Sequence, residues 1–190
     1  MSHVIVVYGP IGSGKTTTCL ELAERARSEV TVAGIITKRV FVGEDVVGYD
    51  CIDVSSCEAF PLVRLAGEMD DPDWLPLYLE KFVFSTSGFQ RANEVLTTSV
   101  SSFGQPNLIF VDEFGRLEER GEGLLRGVEG VMEGLRESDV AVVTCRTNLL
   151  SHVEGMVIRA GHEVHACQPG DSDELWSHIG EALGVDEELK

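Results

Sequence analysis

Residues 9–16 read GPIGSGKT, directly after the apolar run VIVVY and directly before TTCLELAERA. Gly9, Gly14, Lys15 and Thr16 satisfy G-x-x-x-x-G-K-[ST], the phosphate-binding loop or P-loop. The glycines let successive N–H groups turn inward into a concave nest, and the positive end of a following helix adds attraction for an anion. Only four lysines occur in the chain, and its own residue frequencies give this pattern by chance in about one such sequence in two hundred. The motif also demands a strand before it and a helix after it. Val4 to Tyr8 is a β-branched run suited to a strand covered on both faces, and Thr16 to Ser28 carries Cys19, Leu20, Leu22, Ala23 and Ala26 at helical spacing.

A phosphate loop needs partners for metal and water, and Leu108 to Gly115 (LIFVDEFG) supplies two acids at the end of an apolar strand. Lys15 is expected to reach the β and γ phosphates, and the Thr16 hydroxyl and Asp112 to hold Mg²⁺. Glu113, beside the metal-binding Asp, is expected to orient and polarise an attacking water. The nucleotide-binding set is Gly9, Pro10, Ile11, Gly12, Ser13, Gly14, Lys15, Thr16 and Thr17. Charge developing on the transferred phosphoryl group calls for a further cation, and Arg39, Arg91, Arg116 and Arg146 all fall near predicted strand ends. Thr144 ends another strand, placed either to sense the γ phosphate or to satisfy backbone.

The remaining chain alternates strands and helices. Strands are expected at Thr31 to Thr37, Asn107 to Val111, Val140 to Thr144 and Glu163 to Ala166, with helices at 89–100, 123–137, 149–159 and 171–183. Val40 to Val42 and Val46 to Val54 flank the turn GED as a hairpin, Phe60 to Leu65 adds a strand, and Glu68 to Pro76 reads as a surface loop. Such alternation implies an α/β fold: a mainly parallel sheet covered by helices on both faces, with an antiparallel hairpin insertion, its ligands beyond the carboxyl ends of the strands. A single domain over 1–190 is expected, the hairpin and loop insertion spanning about 38–87.

Composition excludes more than it identifies. With 32 acidic against 15 basic residues the formal net charge is −17, a field that repels nucleic acid and anionic membranes, and no basic patch opposes it. Five cysteines at 19, 51, 57, 145 and 167 contain no CxxC pair, so neither a disulfide framework nor a zinc site is expected, and Cys51 and Cys57 read as core residues. His162 and His165, three apart on a predicted strand, fall on opposite faces and make poor metal ligands. Trp74 and Tyr78, beside Pro72 and Pro76, serve either to stack on a base or to anchor a loop. The first residues lack a basic leader and no stretch reaches the ~20 apolar residues of a membrane span, so a cytoplasmic protein is expected, its protein partner unknown.

With these motifs in place, the sequence resembles the cancer-related nucleoside-triphosphatase family, P-loop NTPases with a catalytic glutamate. GPIGSGKTT looks like that family's phosphate loop, AGIITKRVFVGEDVVGYDCIDV like its strand-plus-hairpin region, and VDEFGRLE is similar to its VDEIGKME signature. The likeness runs from residue 4 to about 176, and its region from Phe60 to Phe89 matches poorly. It implies that Gly9, Gly12, Gly14, Lys15 and Thr16 bind nucleotide, that Asp112 assists Mg²⁺, that Glu113 acts on water, and that ATP, GTP and other triphosphates are hydrolysed with little base selectivity. Arg116 stands where the family commonly has lysine, and it joins Lys15 and Glu113 as the expected catalytic set. Two rivals stay open: a nucleotide or small-molecule kinase, with Arg116 and Arg120 closing over phosphates, and a nucleotide-dependent binding switch.

Overall fold

The computed structural model describes residues 2–67, 71–76, 81–100, 107–170 and 172–184. Along the chain run β1 (His3–Tyr8), α1 (Lys15–Ala26), β2 (Thr31–Val42), β3 (Asp45–Asp53), β4 (Ala59–Leu65), β5 (Trp74–Pro76), β6 (Phe82–Ser85) and α2 (Thr86–Ser99). There follow β7 (Asn107–Phe114), α3 (Arg116–Glu119), α4 (Leu125–Gly134), β8 (Val140–Cys145), α5 (Leu150–Arg159), β9 (Glu163–Cys167) and α6 (Ser172–Leu183). The strands form one mixed sheet in the order β5-β6-β4-β3-β2-β7-β8-β1-β9.

The α/β class expected from the alternating pattern is the one observed, and its antiparallel part is larger than a hairpin. β2-β7-β8-β1-β9 are joined by parallel pairings, whereas β2-β3, β3-β4, β4-β6 and β6-β5 are antiparallel. The predicted strand at Thr31 to Thr37 and the first arm of the hairpin are a single strand, so β2 belongs to both halves: its first residues pair with β7 and its later ones with β3. Within the segment read as a surface loop, Trp74–Pro76 is a short strand paired with β6; residues 68–70 and Tyr78 lie outside the described residues. Pro76 falls on the sheet's edge strand, where its missing N–H leaves no gap in a ladder.

Alternation along each strand divides the core. Val4 and Val6 of β1 face a cluster closed by α2, α4 and α5, through residues such as Leu96, Val131 and Val153. Ile5 and Val7 face the opposite cluster, closed by α1 and α6 through Leu22, Trp176 and Ile179. This period of two, buried on both faces, is what the unbroken apolar runs demand. Both faces being covered, only the strand ends are left for a ligand.

Helix boundaries follow their caps. α2 starts at Thr86, three residues before the sequence pattern suggests, because Ser85 caps it: the Gly88 N–H donates to Ser85 Oγ at 2.9 Å. α4 is shorter than its pattern, opening after a glycine-rich turn and ending at Gly134. Asp171, expected to open the last helix, lies outside the described residues. No helix among the described residues is long and apolar enough to cross a membrane.

Candidate active site

The GPIGSGKT loop leaves β1 at its carboxyl end and enters α1. Gly14 sits at the helix N-cap with φ 96°, a conformation open to glycine at little cost, and no side chain caps the helix. The first N–H groups of α1 are therefore directed at the loop's concavity, where an anion satisfies them. Gly9 is fixed by space instead: a Cβ there would lie 2.6 Å from Ser13 Oγ. That Ser13 hydroxyl is buried without a hydrogen-bond partner among the described residues. Lys15 Nζ donates to the Gly9 and Pro10 carbonyls at 3.0 and 2.9 Å, and burial lowers its pKa.

The acid pair reaches the same place from β7. Parallel pairing runs to Val111 opposite Val143 and resumes with Phe114 opposite Cys145, so Asp112 and Glu113 together face the single residue Thr144. This bulge is accompanied by φ 76° at Glu113, a left-handed conformation that costs a glutamate of order 1–3 kcal/mol. Thr144 holds the bulge shut. It accepts from the Glu113 N–H at 2.7 Å and donates to Asp112 Oδ1 at 2.6 Å, so its single proton links strand to carboxylate.

Asp112 is 1% exposed. Its Oδ2 accepts from Thr16 Oγ1 at 2.9 Å, from the Thr37 N–H at 3.0 Å and from Thr37 Oγ1 at 3.1 Å. Thr37 Oγ1 also lies 3.3 Å from Glu113 Oε2. Burial raises the Asp112 pKa although these donors favour its charge. Burial and the neighbouring Asp112 raise that of Glu113, with Arg146 opposing. Phosphate loop and acid pair are therefore in contact, 96 residues apart in sequence.

Together they line a cleft of about 340 Å³ that includes loop residues from Ile11 to Thr17, Asp112, Glu113, Thr144 and, from β2, Lys38 and Arg39. Of the arginines singled out from sequence, Arg39 and Arg146 line this cleft. Arg116 lines a neighbouring cavity and not the cleft. Arg91 lines neither; it pairs with Glu58 at 2.5 Å and lies over the Phe60 ring. Gly9 and Pro10 take part through the carbonyls that hold Lys15. Thr37 was not expected at the site, although a threonine closing a buried strand is the same signal that singled out Thr144.

The weaker candidates fall elsewhere. His162 contacts Ser2 Oγ and the Met132 carbonyl, each at 2.5 Å, and His165 stacks on His178. Cys51 is buried, its thiol pushed up to about 12 by desolvation, but Cys57 is exposed, which corrects its reading as a core residue. Trp74 lines neither cavity. Among the described residues no group of three or more His, Cys, Asp and Glu is placed to hold a metal, so a cation at Thr16 and Asp112 would have to share its ligands with phosphate and water.

A glycine loop capping a helix at the end of a buried parallel strand, facing an acid pair from the next strand but one, defines the P-loop class of nucleotide-binding proteins. A family profile described as NTPase matches residues 4–180, and the chain belongs to that family, as the resemblance of its motifs implied. It is 30% identical over 128 residues to the nucleoside-triphosphatase THEP1 of Archaeoglobus fulgidus, covering 67% of this chain and 70% of that one. It is 39% identical over 114 residues to the nucleoside-triphosphatase THEP1 of Pyrobaculum aerophilum, covering 60% and 58%. The fold is similar to the solution structure of a human cancer-related nucleoside triphosphatase, with a TM-score of 0.70 and 24% identity over the whole of both chains. It is also similar to THEP1 from Aquifex aeolicus, with a TM-score of 0.64 and 17% identity over 95% and 98%.

Proposed function

We propose that the protein hydrolyses nucleoside triphosphates, ATP and GTP among them, to the diphosphate and phosphate. One observation carries the reading: Thr16 of the phosphate loop donates directly to Asp112, while the adjacent Glu113 faces the same cleft. The names of the relatives agree with it. The loop amides and Lys15 hold the phosphates, their fixed donors neutralising charge that grows as the terminal phosphoryl group departs. Thr16 and Asp112 present hard oxygen donors of the kind Mg²⁺ prefers and would hold that ion, which supplies charge neutralisation at the phosphates when bound.

Glu113 orients a water in line with the terminal phosphorus and takes up its proton as the new P–O bond forms and the bond to the diphosphate breaks. A carboxylate whose pKa is raised by burial is the better base for being so. Arg146, which lines the cleft with Glu113, would meet charge on the phosphoryl oxygens; Arg116 lines the neighbouring cavity instead. The test is phosphate release from ATP, GTP, CTP and UTP with Mg²⁺ present or chelated. Glu113→Gln should keep nucleotide affinity while losing roughly 10²–10⁴ of turnover, and Lys15→Ala should weaken binding as well. Unchanged release by Glu113→Gln would refute the mechanism.

Transfer to an acceptor other than water is the second reading, favoured by the cavity that meets Glu113 from its other side. Release that appears only on adding an acceptor would select it.

A further inference from the structure

A cavity of about 400 Å³ adjoins the phosphate-loop cleft, and Thr37, Tyr49, Glu113 and Arg146 line both. Beyond these shared residues and the charged Arg116, Glu118 and Arg120, its wall is apolar and aromatic. Phe82 meets Tyr49 edge-on at 6.4 Å between ring centroids, and Phe84 meets Phe89 at 5.9 Å. Leu62 and Leu117 complete the apolar surface.

The charges at this cavity are unequal in what they can still bind. Glu118 also lines it, but its two oxygens already accept from the Gly115 and Leu124 N–H groups, each at 2.8 Å. That pair of bonds fixes the turn that carries Arg116. Arg116 is exposed and makes no hydrogen bond or ion pair with any described residue. With Arg120 and Arg146 it places three guanidinium groups around the cavity, in a chain whose formal net charge is −17. Three guanidinium groups against the two carboxylates Glu113 and Glu118 leave this lining positive in so negative a chain, which marks a place for an anion, and the aromatic wall marks a place for an apolar body.

We propose that this cavity is a second ligand site, which takes a small molecule with a planar apolar body and an anionic group while nucleotide occupies the phosphate-loop cleft. The planar body lies among Tyr49, Phe82, Phe84 and Phe89, where offset or edge contacts with aromatic rings add to the burial of apolar area. Its anionic group meets Arg116 at the rim. Because the cavity ends on Glu113, the ligand also takes the space through which water reaches that carboxylate, and its occupancy slows phosphate release. This last step alone rests on the hydrolytic reading.

The probe is 1-anilinonaphthalene-8-sulfonate, which joins an aromatic body to an anion and fluoresces when its surroundings become apolar. The full-length protein should bind one equivalent saturably, and should still do so when saturated with a non-hydrolysable ATP analogue. Arg116→Glu and Phe82→Ala should each weaken binding about tenfold. Arg91→Glu, which changes the net charge equally but lies outside both cavities, should leave it unchanged. Displacement of the probe by the nucleotide analogue, or equal affinity in both cavity variants, would overturn the site. Phosphate release should fall in proportion to probe occupancy, and an unchanged rate at full occupancy would overturn the exclusion of water while leaving the binding result to stand on its own.

Discussion

On one side of Glu113 lies a cleft made where parallel strands end; on the other lies a cavity walled by the antiparallel strands β3, β4 and β6 and by α2. The first is built from backbone amides and a few short polar side chains held by hydrogen bonds of 2.6–3.3 Å. The second is built mainly from large apolar side chains of five separate elements, β3, β4, β6, α2 and α3. Phosphate is recognised by donor geometry that one contiguous stretch of chain can encode. An apolar ligand is recognised by a wall assembled through long-range packing, which no short stretch can encode. A single carboxylate, Glu113, lines both.

If the two halves are independent, stability and nucleotide binding should separate. Phe84→Ala removes a 9% exposed ring from the antiparallel half and should cost about 3–5 kcal/mol in urea unfolding. Nucleotide affinity of the folded variant should be retained, and its loss would show that the cavity wall also shapes the cleft. Thr144→Ala strikes the join. It leaves a buried Asp112 oxygen without its 2.6 Å donor and should cost about 1–3 kcal/mol, with phosphate release falling at unchanged expression. Thr144→Ser should restore both, since only the hydroxyl is required.

The pH dependence of stability sharpens the polar side of the comparison. Burial raises the Asp112 pKa in the folded state, so the folded form holds more protons than the unfolded form from the ordinary aspartate range up to that raised value. Stability contributed by this group is present below that window and lost as pH rises through it. Asp112→Asn should abolish this loss, making the nucleotide-free variant more stable than the parent at neutral pH in chemical denaturation, although inactive. A variant less stable at neutral pH would mean that its hydrogen bonds outweigh burial. The smallest effect is expected at Arg91, exposed and outside both cavities. Arg91→Ala should cost about 0.2–1 kcal/mol, falling further in high salt, with turnover unchanged.

Legibility in the sequence divides along the same line. β1, β7 and β8 stand within three residues of their apolar runs, because strands buried on both faces leave an unbroken β-branched signature. Lys15, Thr16, Asp112 and Glu113 were readable for the same reason: motif and strand end coincide. β5 and β6 were not. Phe82–Ser85 is four residues with no alternation, and only its pairing to β4 and β5 makes it a strand. Thr37 carried the same local signal as Thr144, a threonine at the end of a predicted buried strand, but only the transfer of β2 from β7 to β3 at this point brings it onto Asp112. Cys57 misled because cysteine is usually buried, whereas here it sits in a turn after β3 with φ 60°.

The bulge in β7 has a consequence for which changes this strand tolerates. Val111 and Phe114 both pack into the cluster beneath α2, α4 and α5, although an odd separation along a regular strand sends two side chains to opposite sides. The supernumerary residue resets the count. Deleting either acid would therefore leave Val111 and Phe114 two apart, on one side of a regular strand and still opposite Val143 and Cys145, so the packing would survive while the bulge, and with it the pair of acids facing Thr144, would be lost. The core beneath this strand does not need the extra residue; the acid pair does.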